Sequence, residues 1–294
     1  MRSSWIEVVT LALLAPALAG CGSVTRPSLD RASEVREWKA PEGVVRVELL
    51  VDGGVVRVGQ SSELRASFEI ELPAADRQRL DEVEFVPSIS TSGTARLAVI
   101  TPDGSTPSVL VDLQVPPWVE VSIRSNSADV IARGIGSPLT VDSQSGRIDA
   151  SFRGGSAELQ TISGRIRMFG AFANADVRSQ GGDIDIVLPG PASALSRLRV
   201  ENDHGDVRLH GHSQSFDTLR FGTDSGSLRP MVPGDWLAAE RSDVRGSKIF
   251  FATGAHVGSS APLVVESRTG DLDLLIDSNL LADDPLLSDL ARSR

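Results

Sequence analysis

A short motif with a central glycine recurs along the second half of the chain. The residues around one copy read LQTISGRIRM, and the preceding copy reads VDSQSGRIDA. The aligned glycines are Gly146, Gly164, Gly182, Gly205, Gly226, Gly246 and Gly270, and an earlier copy, IRSNSADVIA, has Ala128 in the glycine position. The spacings from Ala128 onward are 18, 18, 18, 23, 21, 20 and 24 residues. A repeat of about 20 residues indicates a solenoid or another stacked array.

The pattern within each copy predicts two strands joined at a corner. Apolar and polar residues alternate before the glycine, as at Leu139 and Val141, and again after it, as at Ile148 and Ala150. An alternation of period two is typical of β-strands. Glycine suits a corner because it reaches positive φ at little steric cost, while nearby Ser, Thr, Asn and Asp side chains bond to the backbone. We therefore predict that all seven glycines are repeat corners.

Such units fit either an antiparallel meander or a parallel β-solenoid, in which equivalent residues stack. The third residue after each of the first four glycines alternates in charge: Asp149, Arg167, Asp185 and Arg208. In parallel strands about 4.8 Å apart, this column would become a ladder of opposite charges. The residues directly after the glycines are Arg147, Arg165, Asp183 and Asp206, so like charges would meet at two steps of that column. We favour an all-β, parallel β-solenoid.

The repeats cover residues 119–276. Ahead of them, 41–118 contains strand-like runs such as VVRVELLV and LRASFEIEL, and we predict a β-rich N-terminal cap or the first, less regular turns of the solenoid. The tail, 277–294, is predicted to cap the other end, because solenoids need ends that cover unpaired strand edges.

The first residues predict export and lipid anchoring. A short n-region with Arg2 precedes an apolar run over 8–19, which is shorter than the ~20 residues that a membrane-spanning helix needs. The sequence Leu18-Ala19-Gly20-Cys21 follows, and it resembles the lipobox of bacterial lipoproteins, in which the cysteine is acylated after cleavage. We predict a signal peptide over 1–20, lipidation at Cys21 and a polar tether over 21–40. Cys21 is the only cysteine, so an internal disulfide is excluded.

Composition excludes several classes of function. A net charge of −10 argues against nucleic acid as a partner, since phosphate binding needs clustered Lys and Arg. His210, His212 and Asp206 could suit a metal, and the pairs Asp183/Asp185 and Asp271/Asp273 are reminiscent of calcium ligands, but a ladder position explains each of them. No serine lies in a Gly-x-Ser-x-Gly elbow. We predict no cofactor, no metal and no enzymatic activity.

The run VDLQVPPWVEVSIRSNSADVIARGI, followed by S/T-x-x-G-D/R-I/V repeats, resembles the DUF4097 family of bacterial envelope proteins, often called putative adhesins. The resemblance extends over about 45–276 and implies a fold rather than an activity, because that family has no established catalytic residues to carry over.

We therefore predict an envelope lipoprotein at the outer membrane or another extracytoplasmic membrane surface. It would be held by the lipid on Cys21 and would present its solenoid to a protein or glycan partner, or serve as a structural component. The alternatives are a sensor or accessory subunit of an envelope complex and a polysaccharide-acting enzyme. The inserts at 189–196 and 232–238, which interrupt the repeat, are the predicted locations of function, with Trp236 either exposed for a ligand or packed into the body.

Overall fold

A computed structural model describes residues 31–73, 83–100, 108–189, 195–242, 247–253 and 261–277. The predicted signal peptide, Cys21, Gly246, His256, most of the insert at 189–196 and all but the first residue of the predicted tail lie outside these ranges. None of the described residues belongs to a helix that is long and apolar enough to cross a membrane.

The described residues form 23 strands and one short 3-10 turn at Ser213–Ser215. The strands are β1 Arg31–Lys39, β2 Arg46–Val51, β3 Val55–Gln60, β4 Arg65–Pro73, β5 Glu84–Ile89, β6 Thr94–Ile100, β7 Ser108–Val115, β8 Glu120–Ser125, β9 Asp129–Ile135, β10 Leu139–Ser143, β11 Ile148–Arg153, β12 Ser156–Thr161, β13 Ile166–Ala171, β14 Asn174–Ser179, β15 Ile184–Leu188, β16 Arg197–His204, β17 Val207–His212, β18 Phe216–Ser225, β19 Leu228–Met231, β20 Leu237–Ser242, β21 Lys248–Thr253, β22 Ala261–Thr269 and β23 Leu272–Asp277.

These strands make two sheets that enclose one core. Sheet A has the spatial order β1-β4-β7-β3-β9-β11-β13-β15-β17-β23-β19, and sheet B has the order β20-β21-β18-β22-β16-β14-β12-β10-β8-β2-β6-β5. Alternate residues of most strands are buried, and the inward side chains of both sheets form a single hydrophobic cluster. The alternation seen in the sequence therefore becomes one face packed inward and one face turned to solvent.

Consecutive strands form rungs, with one strand in each sheet. Strands β8/β9, β10/β11, β12/β13, β14/β15 and β16/β17 are five such rungs, stacked in parallel in the order of the sequence. Ile148 is the register partner of Ile166, which in turn is the partner of Ile184. This register confirms the parallel solenoid and rejects the antiparallel meander for the repeat region.

Both ends depart from the sequence order. The rung β22/β23 lies between β16/β17 and β18/β19, although it comes later in the chain. At the other end, β6/β7 lies outside β2/β3, and both of these rungs are parallel to the repeat rungs. Pro230 in β19 gives one physical reason, because a residue without an N–H suits an edge strand better than the interior of a sheet.

Antiparallel strands complete both ends, and two predictions need correction there. Strand β1, inside the predicted tether 21–40, pairs antiparallel with β4 over Arg31–Lys39, because Trp38 packs into the core and anchors it. The tether prediction is therefore wrong for this part. The copy around Gly246 is not a rung, since β21 pairs antiparallel with both β18 and β20.

The corner glycines form one column along the solenoid. A Cβ atom on Gly164 would lie inside the van der Waals radius of the carbonyl oxygen of Gly146, and the same holds for Gly182 over Gly164. The column continues through Gly205, Gly270 and Gly226, in the spatial order of the rungs rather than in that of the sequence.

The close approach of neighbouring rungs, rather than positive φ, explains the glycines at the regular corners. Gly146, Gly164 and Gly182 do not have positive φ, whereas Gly205 and Gly270 have φ of 116° and 138°. At the regular corners, glycine is needed because the backbone of the preceding rung occupies the space that a Cβ atom would take.

A buried polar column lies beside the glycines. The Gly164 amide donates to Thr161 Oγ1 at 2.9 Å, and the Gly182 amide donates to Ser179 Oγ at 2.8 Å. Thr161 and Ser179 are buried, so each hydroxyl satisfies a corner amide that has no solvent nearby. At Gly205 the equivalent side chain is that of Asn202, whose Nδ2 donates to the Gly205 carbonyl at 2.9 Å.

Replacing Gly164 by Ala should lower the free energy of unfolding by about 3 kcal/mol, because the new methyl group must displace the backbone of the neighbouring rung. Gly234→Ala is the matched control, since its Cβ would meet nothing within 4 Å. Denaturant unfolding of both variants measures the effect. A Gly164→Ala protein as stable as the control would contradict the close corner contact.

Candidate functional site

The outward face of sheet A carries a continuous column of alternating charges. The predicted ladder is confirmed in register, because Asp149 faces Arg167, Arg167 faces Asp185 and Asp185 faces Arg208. It continues beyond the sequence-based prediction to Asp273 and Arg229. Opposite charges on directly facing residues stabilise neighbouring strands.

Asp185 is the most buried member of this column. Its side chain is 4% exposed and contacts three arginines: Arg165, Arg167 at 3.7 Å and Arg208 at 3.6 Å. A carboxylate withdrawn from water in this way needs such partners, because an unpaired buried charge is strongly destabilising.

The neighbouring column, which contains Asp183, Asp206 and Asp271, places like charges in a row. Each of these carboxylates accepts a hydrogen bond from a backbone amide of the next rung: Asp206, Asp271 and Ser227 donate at 3.1, 3.1 and 3.0 Å. These hydrogen bonds to the carboxylate oxygens offset the repulsion between neighbouring carboxylates. The sequence predicts one pair of neighbouring acidic residues in this column, Asp183 and Asp206, and the structure adds a second pair, Asp206 and Asp271.

The amide and hydroxyl of Ser227 hold the pKa of Asp271 below its ordinary value, with a smaller contribution from Arg229. Because the folded-state pKa is the lower one, this carboxylate stabilises the fold above its unfolded-state pKa. That contribution is lost as the pH falls through the folded-state value.

Two of the histidines, His204 and His212, make hydrogen bonds within the fold. His204 Nδ1 lies 2.6 Å from Thr269 Oγ1, and the buried His212 accepts from the Gln214 amide at 3.2 Å. Among the residues that the structure describes, no three His, Cys, Asp or Glu side chains are grouped so that they could hold a metal ion. Asp271 and Asp273, weighed as calcium ligands, instead form ion pairs with Arg229 at 2.7 and 3.2 Å.

The tryptophans divide between core and surface. Trp38 and Trp236 are 5% and 7% exposed and belong to the core, whereas Trp118 is 66% exposed. The insert at 232–238 therefore fixes itself to the body through Trp236, which confirms the packing alternative for that side chain. Of the insert at 189–196, only Pro189, Leu195 and Ser196 are described, and Leu195 is buried.

The outward face of sheet A also carries a groove that the repeat motifs do not predict. An open groove of about 550 Å³ lies over β3, β7, β9, β11 and β13, and its charged lining residues are Arg57, Asp112, Arg133, Arg147, Asp149 and Arg167. Four arginines and two aspartates give this groove a formal charge of +2, on a chain whose net charge is −10.

Three local features form the groove. Ile131 occupies the ladder position between Arg57 and Asp149, so the column of charges is interrupted there. Gly59 has no side chain of its own, and the Gln114 carboxamide packs over it, where a Cβ would come within 2.9 Å of Gln114 Oε1. Neither Ile131 nor Gly59 carries a charge, so the charged side chains stand around these two positions.

The third feature is a bulge in β9. Arg133 and Gly134 together face the single residue Ser151 of β11, and Gly134 has φ of +61°, in the left-handed region. Ser151 Oγ holds this bulge by accepting from the Gly134 amide at 2.9 Å. A bulge redirects the side chain that it carries, and Arg133 lines the groove.

Hydrogen bonding within the groove is incomplete. Arg57 is exposed and has no ion pair or hydrogen bond to any described residue. Asp149 is 6% exposed, and its Oδ2 lies 3.1 Å from Arg147 Nε. Its Oδ1 is buried and accepts no hydrogen bond from the described part of the chain. An exposed cation therefore lies in the same concavity as a carboxylate that has one oxygen without a donor among the described residues, and that oxygen is shielded from solvent.

The sequence contained a signal for this groove that we did not use. In the copy IRSNSADVIA, the third residue after Ala128 is Ile131, where every following copy except the one at Gly246 has Asp or Arg. A break in a charge ladder could have marked the position, but Arg57 and Gly59 come from a part of the chain outside the aligned repeats.

No family model matches the chain, and no curated protein is significantly similar to it. The resemblance to DUF4097 therefore stays a prediction. Among solved structures, a "putative adhesin" from Bacteroides fragilis NCTC 9343 is 12% identical, with a TM-score of 0.42, over 85% of this chain and 99% of that one.

A "putative cell adhesion protein" from Clostridium sporogenes ATCC 15579 is 9% identical, with a TM-score of 0.36, over 84% and 100% of the two chains. A "putative lipid binding protein" from Parabacteroides distasonis ATCC 8503 is also 9% identical, with a TM-score of 0.36, over 82% and 96%. At these TM-scores the likeness carries no inference about function, and the fold described above rests on the geometry of this chain.

Replacing Asp185 by Asn should lower the free energy of unfolding by about 2 kcal/mol, because three arginines would lose the carboxylate that they contact. Asp203→Asn is the control: it removes the same charge from an exposed pair with Arg268 at 3.6 Å, for which we expect less than about 0.5 kcal/mol. Denaturant unfolding compares the two. Equal effects would show that the ladder carries no special stability at Asp185.

Proposed function

We propose that this protein is a lipid-anchored member of the cell envelope whose rigid β-solenoid binds a partner at the membrane surface without catalysing a reaction. Assignment to the DUF4097 family is part of the proposal. The observation that carries it is the groove on the outer face of sheet A, where a column of paired charges is interrupted and Arg57 has no ion pair to a described residue.

The groove suits binding because its floor is formed by strands rather than loops. Side chains on β3, β9 and β11 are held by parallel ladders on both sides, so the site is formed before a ligand arrives. A preformed site avoids much of the entropy that ordering a surface would cost. The buried carboxylates of this face are held in ion pairs, as Asp149 is with Arg147 and Asp185 with its three arginines, which suits a recognition surface.

The proposed anchor would keep the groove close to the membrane. Nine residues lie between Cys21 and Arg31, where β1 begins, and the chain from one to the other spans at most about 35 Å. Strand β1 is the end strand of sheet A, and the groove begins two strands further in, at β7. With about 4.8 Å between strands, the groove would start about 10 Å from the anchored end of the sheet.

Cys21→Ser should move the protein from the membrane fraction to the soluble fraction, because each CH₂ of a buried acyl chain contributes about 0.8 kcal/mol to membrane binding. Fractionation of cells that express the full chain measures this. Ser23→Ala is the matched control, since it leaves Cys21 in place and should stay with the membranes. Retention of the Cys21→Ser protein in membranes would overturn lipid anchoring.

The purified full chain, held in mild detergent and labelled with a fluorophore, should bind saturably to isolated cell envelopes, and an excess of unlabelled protein should compete with it. Binding should weaken with added salt, because the proposed contact surface is charged. Binding that does not saturate, or that competitor does not reduce, would contradict a specific partner in the envelope.

A further inference from the structure

The groove combines Arg57, a cation without an ion pair among the described residues, the carboxylate of Asp149, whose Oδ1 accepts no hydrogen bond from them, and the apolar side chain of Ile131. We propose that it binds an acidic saccharide, a sugar unit that carries a carboxylate group. This inference rests on the proposed function and names the chemical class of the partner.

Arg57 and Arg133 supply the contact to the carboxylate. Arg57 lies on β3 with no ion pair or hydrogen bond among the described residues, and the bulge in β9 presents Arg133 to the same groove. A guanidinium group offers two parallel N–H donors that match the two oxygens of a carboxylate. The formal charge of +2 in the groove draws a single anionic group to this place on an acidic protein.

The remaining polar groups suit the hydroxyls of a sugar. Asp149 lines the groove, and its Oδ1 accepts no hydrogen bond from a described residue; this oxygen has almost no exposed surface, so a hydroxyl can donate to it only when the bound sugar displaces the side chains around it. Asp112 Oδ1 and the amide of Gln114 bond to each other at 2.6 Å and form a second polar edge of the groove. A hydroxyl both donates and accepts, so it can serve either edge.

Ile131 supplies an apolar surface between these edges. It stands where the following rungs carry a charged residue of the ladder, and the neighbouring Gly59 is covered by the Gln114 carboxamide. The volume of about 550 Å³ lies within the range of small-ligand sites, roughly 300 to 1,000 Å³. A sugar ring can therefore lie over Ile131 while its substituents reach the two polar edges.

Other anions fit less well. A polyphosphate carries no hydroxyl that could donate to the carboxylates of Asp112 and Asp149, which line the groove, and its oxyanions would be repelled by them. Among the residues that the structure describes, no aromatic side chain lines the groove, so a neutral sugar would lack both a stacking partner and a charged contact. The geometry thus favours one carboxylate on a hydroxyl-bearing scaffold.

The test measures binding of the purified full chain in mild detergent to three immobilised polymers. Polygalacturonate presents carboxylates on sugars, dextran presents sugars without charge, and polyglutamate presents carboxylates without sugars. We expect binding to polygalacturonate and at least tenfold weaker binding to the other two. Arg57→Gln and Arg133→Gln should each weaken binding to polygalacturonate about tenfold, the loss expected for a charge-assisted contact.

Arg124→Gln is the matched control. It removes the same charge from β8, the sheet B strand of the rung that carries Arg133, so its binding should remain within about twofold of wild type. Equal binding by the Arg57→Gln and wild-type proteins would overturn the groove as the site. Equal binding to polyglutamate would overturn the saccharide, and absence of binding to polygalacturonate would overturn both.

These failures are distinguishable from a failure of the proposed function. Saturable binding to isolated envelopes that survives Arg57→Gln would leave the envelope role intact and overturn the groove. Thermal unfolding of Arg57→Gln should match that of wild type, since the exposed side chain makes no ion pair with a described residue. A loss of binding accompanied by a lowered midpoint would count as unfolding and overturn the assignment of Arg57 to ligand contact.

Discussion

The contact between the corner of one rung and the backbone of the next sets the geometry of the solenoid. The carbonyl of Gly146 occupies the space where a Cβ of Gly164 would lie, and this contact recurs at each regular corner. A slip by one residue would bring a side chain into that space and would turn every inward residue outward. The glycine column therefore fixes the register, and the hydrophobic core, the buried hydroxyls of Thr161 and Ser179 and the charged outer face follow from it.

The outer face of sheet A shows what a fixed register permits. Asp185 is buried among three arginines because parallel stacking brings Arg167 and Arg208 directly above and below it. Such carboxylates add less to stability than their number suggests, since withdrawing charge from water is costly. The interruption of this column at Ile131 is what makes room for the groove.

The ends of the solenoid follow different rules from its middle. Interior rungs bond to neighbours on both sides, but an end strand exposes unpaired amides and carbonyls that invite association. Here β19 is short and contains Pro230, and antiparallel strands such as β1 and β21 cover other positions near the ends. The groove lies towards the end that carries β1, so the proposed anchor and the proposed binding site belong to the same half of the molecule.

The regular part of this protein can be predicted from local sequence patterns. The glycine spacing and the alternation around it predicted strand, corner and strand, and the charges at Asp149, Arg167 and Asp185 predicted their parallel stacking, because each of these signals lies within a repeat or in adjacent repeats. The order of the end rungs and the pairing of β1 could be read only from the folded chain, since they depend on which distant strand edges compete for a partner. The same is true of the groove. Arg57, Ile131 and Asp149 come from three strands, and no local sequence pattern shows that these strands are neighbours.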